Sequence, residues 1–145
     1  MARFQFRLER VLDVKKIHED LRQRDWVVAM QETGRQIARE NELRMEQARF
    51  REQRNSKGSV GELKIEAEIA GGMRRKVKKQ ATQVAFAKQI EQARKNELID
   101  AMRERKVMEK LREKKQEEFQ MEERRSDNKL IDEIAGNRFR RKLGS

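Results

Sequence analysis

The sequence predicts an all-α protein in which two long helices form an antiparallel coiled-coil hairpin, with helix 2 longer and overhanging. Three observations support this fold class. The 145-residue chain contains no Pro and is rich in residues with high helix propensity. Its apolar side chains recur at steps of three and four, which is the spacing of one helix face. A single short stretch with Ser and Gly separates the two helical patterns.

The composition excludes a large globular core. Charged residues make up 43% of the chain and hydrophobic residues 35%, whereas globular domains have ~25% and ~45–50%. The absence of Cys excludes disulfide scaffolds and cysteine-ligated metals. No apolar run approaches the ~20 residues that a membrane-spanning helix needs. We therefore expect a cytoplasmic protein whose helices share narrow contact stripes.

Helix 1 is predicted from about residue 6 to residue 53. Apolar residues follow the helical spacing through its first half, as in Phe4, Leu8, Val11, Val14, Ile17, Leu21 and Val28. Opposite charges four residues apart, such as Asp20 and Arg24, support the exposed face. The loop is predicted at residues 54–59, where Asn, Ser and Gly cluster.

Helix 2 is predicted from about residue 60 to residue 138, with a C-terminal tail at 139–145. Ser59 and Glu62 have the spacing of a capping box, in which each side chain accepts a hydrogen bond from an amide at the helix start. Gly71 and Gly72 weaken the helix by about 1 kcal/mol each relative to Ala. The alternative is therefore that the ordered part of helix 2 begins only at Met73.

Antiparallel pairing across the short loop is the local way for both helices to cover their apolar stripes. Helix 1 would pack against the first part of helix 2, and the remainder of helix 2 would project past the N-terminus. We expect residues 1–145 to form a single coiled-coil domain.

The residue types and spacings of an active site are missing from the sequence. The single imidazole, His18, is interpreted as a solvated helix residue, since no other metal ligands accompany it at a suitable spacing. No phosphate-binding loop motif precedes a helix, and the Ser residues have no base near them in sequence. We expect no enzyme activity, no catalytic or metal-binding residue, no cofactor and no small-molecule substrate.

With no active site indicated, net charge is the remaining chemical property of the sequence that points to a function. The chain carries +11 at pH 7, from 37 basic and 26 acidic residues, which favours acidic partners. Two basic clusters stand out, Arg74 to Lys79 and Arg138 to Lys142. Either could bind phosphate groups, and the second includes Phe139 as single-strand binders include an aromatic. The alternative for both clusters is an ordinary solvated helix surface.

Both ends of the chain resemble the FliJ family of flagellar protein-export components. The N-terminal part of the resemblance opens with Phe4-Gln5-Phe6-Arg7-Leu8 and continues through Lys15-Lys16 to Glu19-Asp20. The C-terminal part consists of Glu109 to Lys114 with Phe119, then Lys129 to Ala135 with Arg138-Phe139. The length and the helix–loop–helix plan also agree, whereas Gly71-Gly72 is not a feature expected of the family.

The resemblance implies a non-catalytic coiled-coil stalk of the type III export apparatus. Its implied partners are the hexameric flagellar export ATPase, whose activity it promotes, the cytoplasmic domain of the export gate, and substrate-specific export chaperones. It further implies a cytoplasmic protein associated peripherally with the inner membrane at the flagellar base. Nucleic acid is not an expected partner on this interpretation.

Two contact surfaces are predicted on that basis. At the ATPase end, we expect the first turns of helix 1 to pack on the last turns of helix 2 beneath a set of exposed charges. The predicted residues are Phe4, Phe6, Leu8, Lys15, Lys16, Lys129, Ile131, Asp132, Glu133, Ile134, Arg138 and Arg140. For the export gate they are Met73, Arg75, Val77, Lys78 and Val84, an apolar line beside basic residues.

Two other functions stay open from the residues alone. The high positive charge fits a basic coiled coil that associates with nucleic acid or ribosomes. The apolar stripe also fits a structural scaffold that dimerises. Steep loss of binding with salt would indicate a phosphate-binding protein.

Overall fold

The computed structural model describes residues 2–54 and 58–144, and nearly all of them are helical. Helix α1 spans Glu9–Gln53 and helix α2 spans Val60–Leu143, with no strand among the described residues. The predicted all-α fold with a longer second helix is therefore confirmed. Residues 55–57 of the predicted loop lie outside the described residues.

The capping box at the start of α2 is present as predicted. The Glu62 amide donates to Ser59 Oγ, and the Ser59 amide donates to the Glu62 carboxylate, both at 3.3 Å. The first backbone bond of the helix follows, from the Leu63 amide to the Ser59 carbonyl at 2.9 Å. These bonds use amide donors that would otherwise lack partners at the helix start, which is why α2 begins at Val60.

Both outer helix boundaries differ from the prediction. Helix α1 begins at Glu9 rather than near Phe6, because residues 2–6 run as an irregular segment that ends in a turn. The Glu9 amide closes that turn on the Phe6 carbonyl at 3.1 Å. The predicted tail from residue 139 is wrong, since α2 continues to Leu143. The basic residues of its last turn favour this extension because they face the negative end of the helix dipole.

The helix runs unbroken through Gly71 and Gly72, so the alternative start at Met73 is also wrong. Neither glycine has a positive φ. Both are half-buried, and the helix continues on either side, so tertiary packing of the neighbouring turns outweighs their low helix propensity. The side chains of Arg74 and Arg75 fold back towards these two residues.

The chain divides into two packing units. The central unit is Glu19–Asp100, and the terminal unit combines the chain up to His18 with the chain from Ala101 onward. In each unit the α1 part packs antiparallel to the α2 part. Within the central unit, Arg22 pairs with Glu97, Gln36 with Gln80, and Arg54 with Glu66, so partner numbers fall along α2 as they rise along α1.

Small residues and a few polar groups form the interior of the central unit. Ala29 and Ala87 are buried, which allows the two backbones to approach closely, and Val84 and Leu98 fill the contact beside them. Thr33 and Gln80 are also buried. The Thr33 hydroxyl donates to the Ala29 carbonyl at 3.0 Å. Gln80 donates to the Gln36 carbonyl at 2.9 Å and to the Gln36 side chain at 2.8 Å, which fixes the register of the helices here.

Trp26 lies half-buried in the central unit. Its indole nitrogen is fully buried, and no described atom accepts a hydrogen bond from it. An unsatisfied buried donor costs about 1–3 kcal/mol, so this contact is less stable than the area of the ring suggests. Neither helix, over the residues described, has a stretch long and apolar enough to cross a membrane.

Replacing Gly71 and Gly72 by Ala is predicted to stabilise the protein by about 1 kcal/mol each, because Ala has the higher helix propensity. A Cβ at Gly71 would lie 3.5 Å from an Arg75 nitrogen and one at Gly72 would lie 3.8 Å from another, which are ordinary contacts. Urea denaturation would measure the gain. Gly144→Ala is the control, since Gly144 follows the last helical residue. Unchanged or lower stability in the double variant would contradict the prediction.

Candidate partner-binding surfaces

The N-terminal segment packs on α2 within the terminal unit. The rings of Phe4 and Phe119 lie 5.6 Å apart between centroids at an interplanar angle of 51°. The Arg112 guanidinium lies 6.0 Å from the centre of the Phe4 ring, and its Nε donates to the Glu9 carboxylate at 2.9 Å. Arg112 therefore joins the irregular segment and the first turn of α1 to the same point of α2.

The seam next to this contact combines one buried leucine with one charged pair. Leu12 and Ala101 are each only 2% exposed. Lys15 Nζ donates to the Glu104 carboxylate at 3.0 Å. This hydrogen bond, with the charge of Lys15 and a smaller effect of His18, lowers the pKa of Glu104 below its ordinary value. Lys15, predicted as a partner-binding cation, is thus engaged in pairing the two helices.

The N-terminal residues do not meet Ile131 and Ile134, so the expected packing of these residues on one another is wrong. Phe4, Phe6 and Leu8 line a groove of about 460 Å³ together with Leu111 and Phe119. Ile131 lies about 18 Å further along α2, at 1.5 Å per residue from Phe119. Ile131 and Ile134 are 61% and 48% exposed. The two helix ends are offset because α2 has 84 residues and α1 only 45, so α2 continues beyond its contact with the start of α1.

The last part of α2 forms an exposed surface, which we call the terminal stretch (residues 124–143). Every residue in it except half-buried Gly136 is exposed. It carries seven cations and three carboxylates. Five large apolar side chains, each about half exposed or more, lie among them: Leu130, Ile131, Ile134, Phe139 and Leu143. Such apolar exposure on a charged helix is typical of a surface that binds a partner.

The predicted charged residues of the ATPase end fall into two groups. Lys129, Asp132, Glu133, Arg138 and Arg140 are all exposed in the terminal stretch. Lys16 lies elsewhere, in a groove of about 570 Å³ beside Leu12, which it shares with further charged residues of both helices. The structure therefore does not gather the predicted residues of this end into one patch.

The residues predicted for the export gate do not form a continuous surface. Val84 is only 6% exposed and belongs to the core of the central unit, and Met73 and Val77 are half-buried at the same seam. Val84 is therefore closed to a partner, and Met73 and Val77 are only partly accessible. Arg75 and Lys78 are exposed and remain accessible.

A groove in the central unit was not predicted from the sequence. It is lined by Arg39 and Leu43 of α1 and by Lys76, Lys79, Gln80 and Gln83 of α2. Arg39 is far from the basic cluster along the chain, so no sequence motif joins them. The basic cluster at residues 74–79 was the one signal that pointed to this region.

One family model, described as Flagellar FliJ protein, matches residues 4–144 of the chain. The chain belongs to the FliJ family. No curated protein and no solved structure matches it. Membership identifies it as a component of the flagellar export apparatus, in a family whose role there is non-catalytic. The match covers both the N-terminal segment and the terminal stretch, so the whole FliJ-family pattern includes the surfaces described above.

No group of His, Cys, Asp and Glu residues in the described part of this FliJ-family chain is arranged to hold a metal ion. His18 is half-buried, and its charge makes a small contribution to lowering the pKa of Glu104. The grooves between the helices are open to solvent and lined by charged, amide and apolar side chains. These surfaces can bind partners through charge and apolar contact.

We expect Phe4→Ala and Phe119→Ala to be coupled. Aromatic pairs at this distance and tilt contribute about 0.5–1.5 kcal/mol beyond the area that they bury, and Arg112 reinforces the contact. A double-mutant cycle by urea denaturation would measure the coupling energy. Phe4→Ala with Phe139→Ala is the control pair, since Phe139 is 64% exposed in the terminal stretch. Equal coupling in both cycles would show that the ring contact contributes nothing specific.

The pKa of Glu104 should rise towards its ordinary value of 4.5 in a Lys15→Gln variant, because the hydrogen bond and charge that stabilise the carboxylate are removed. Since the folded-state pKa is lowered, the stabilisation from this pair is present above pH 4.5 and is lost as the pH falls through the folded-state pKa. Carboxyl ¹³C NMR titration would measure the value. Lys16→Gln, which changes the neighbouring exposed cation, should leave it unchanged. A Glu104 pKa that is the same in wild type and Lys15→Gln would contradict the assignment.

Proposed function

We propose that the chain is a non-catalytic stalk that binds the ring of the flagellar export ATPase and promotes its activity. The observation that carries this proposal is the terminal stretch. Its five exposed apolar side chains have no cover within the described part of the chain. Family membership supplies the apparatus in which the partner is found.

The terminal stretch suits a partner made of several similar subunits. It is part of a single continuous helix, so its side chains are presented in all directions around one axis. Leu130, Ile131 and Ile134 lie on one side of that helix, while Phe139 lies on another at the spacing of 100° per residue. Exposed cations between them attract acidic groups at long range and without a strict angle. Contacts with more than one subunit of a ring can therefore form at once.

The N-terminal segment supports the proposal indirectly. Phe4 contacts Phe119 and Glu9 pairs with Arg112, and Leu12 lies in a groove with α2 residues from Lys106 to Glu113. This contact holds the part of α2 that precedes the terminal stretch. We propose that Phe4, Phe6 and Leu8 act mainly by positioning α2, while Ile131, Ile134, Arg138 and Arg140 touch the ATPase.

The other partners form the second part of the proposal. Arg75 and Lys78 are exposed on the central unit and are proposed to contact acidic groups of the export gate. This contact would associate the protein peripherally with the cytoplasmic face of the inner membrane. A role in handling substrate chaperones is supported by family membership alone.

Replacing Ile131 and Ile134 together by Ser should weaken binding to the purified export ATPase by about tenfold or more, because buried apolar anchors each contribute more than about 1 kcal/mol to an interface. Stimulation of ATP hydrolysis at a fixed protein concentration should fall accordingly. Both side chains are exposed in the structure, so the helix content measured by circular dichroism should not change.

Val60→Ser with Ile65→Ser is the matched control, since these side chains are 72% and 59% exposed at the other end of α2. This control should stimulate the ATPase normally. If Ile131→Ser with Ile134→Ser also stimulates normally, the terminal stretch is not the ATPase contact. Equal reduction in both variants would indicate a general effect of exposed Ser on the helix and would likewise contradict the assignment.

A further inference from the structure

The groove that the sequence did not predict has an unusual set of charges. Three cations from two helices surround it, Arg39 from α1 and Lys76 and Lys79 from α2, and its other polar residues are Gln80 and Gln83. Its volume is about 250 Å³. No carboxylate of the described residues lines it, so this groove attracts an anion more strongly than the mixed-charge grooves of the terminal unit.

The three cations have no acidic partner among the described residues. Some other cations of the central unit are paired, as Arg22 is with Glu97, Arg44 with Glu40 and Arg54 with Glu66. The reason lies in the sequence of α2, which has six cations and no carboxylate between Glu68 and Glu91. Glu42 and Glu46 of α1 lie with Arg39 on an adjoining groove, but neither forms an ion pair with it.

A second groove continues from the first one, since Arg39 and Gln83 line both. It is larger, at about 680 Å³, and mainly apolar, with Ala29, Ala87 and Ile90 along its floor and sides. The Phe86 ring stands in it and is 63% exposed. The one carboxylate in the lining, Glu32, is paired with Arg35 at 3.4 Å and accepts a hydrogen bond from Gln36 at 2.8 Å.

We propose that these two connected grooves bind a single-stranded nucleic acid. Arg39, Lys76 and Lys79 would contact successive phosphates, and a base would stack on Phe86. A positively charged groove that follows the backbone, with an aromatic ring beside it for stacking, is how single strands are bound without regard to sequence. The side-chain amide of Gln83, which lines both grooves, would supply hydrogen-bonding groups for a base edge.

The arrangement of the three cations beside the Phe86 ring favours a single-stranded nucleic acid over other anionic ligands. An acidic peptide would use the cations but would cover Phe86 only with an added aromatic residue, whereas every nucleotide carries both a phosphate and a flat base. A bilayer surface would need the apolar and basic groups on a convex face, whereas Arg39, Gln83 and Phe86 line grooves between two helices. This inference is independent of the ATPase contact, because it uses only residues of the central unit.

The test is fluorescence anisotropy of the full chain with a labelled single-stranded oligonucleotide of about 12 nucleotides. Lys76→Gln with Lys79→Gln should weaken binding and should reduce the slope of log K against log salt by about 0.7 for each phosphate that is no longer neutralised. Phe86→Leu should weaken binding about tenfold by removing the stacking face, whereas Phe86→Tyr should restore it. All three positions are exposed, and circular dichroism would verify that the helices remain.

Lys64→Gln with Lys95→Gln is the matched control, since these exposed lysines of the same unit lie outside both grooves. The proposal predicts a smaller effect on affinity in this control than in the groove variant. Equal effects in both would overturn it by showing that only net charge matters. Unchanged binding in the groove variant would overturn it in favour of the basic cluster at residues 138–142. Weaker binding by Phe86→Leu and Phe86→Tyr alike would overturn the stacking contact.

Two other probes complete the test. Polyglutamate of similar charge and vesicles of phosphatidylcholine with phosphatidylglycerol are offered to the same variants. If polyglutamate and the vesicles both bind more weakly than the oligonucleotide does, the proposal is supported. If polyglutamate competes as well as unlabelled oligonucleotide, the groove is a general anion site and the nucleic-acid assignment is wrong. If the vesicles alone bind in a manner that depends on Lys76, Lys79 and Phe86, the ligand is a lipid surface and the assignment is equally wrong.

Discussion

The structure depends on close packing of two helices that have very little apolar surface to share. Among the described residues, the buried apolar side chains are Leu12, Ala29, Val84, Ala87, Leu98 and Ala101, and half of these are Ala. Alanine contributes little transfer free energy but lets two backbones approach. The alignment of α1 along α2 is therefore set by polar contacts that can form in only one register. The two hydrogen bonds from Gln80 to Gln36 are the most buried of these contacts, and the pairs of Arg112 with Glu9 and Lys15 with Glu104 have the same role in the terminal unit.

Because the helices share so little apolar surface, most large apolar side chains lie outside the seam between them. Side chains such as Val28, Phe86, Ile131 and Phe139 are more than half exposed. A globular enzyme would bury such residues to form a core around its site. Here they are distributed along the helices between charged residues, which leaves surfaces that a partner can cover. Membership of the FliJ family agrees with this design, since an export component that acts by contact needs surface rather than a cavity.

Charge is arranged less evenly than the composition suggests. In the terminal unit, acids and bases are interspersed along α2, and two ion pairs join the helices, Arg112 with Glu9 and Lys15 with Glu104. In the central unit, the carboxylate-free run of α2 opposes Arg39 and leaves cations without partners around one groove. By sequence, the terminal unit has 19 basic and 12 acidic residues (+7) and the central unit has 18 and 14 (+4), so the basic groove is a local feature that neither net charge reveals.

The sequence by itself determined the helices, the start of the second helix and the family. Helical spacing, the lack of Pro and the Ser59–Glu62 capping box are local properties, and each depends only on residues within one or two turns. Tertiary structure decided everything that depends on alignment between the helices. Whether Phe4 meets Phe119 or Ile131, whether Val84 is buried, and whether Arg39 joins Lys76 and Lys79 are settled by the register. Because the seam is sparse and rich in alanine, the apolar pattern fits several registers, and only the long-range polar contacts select one of them.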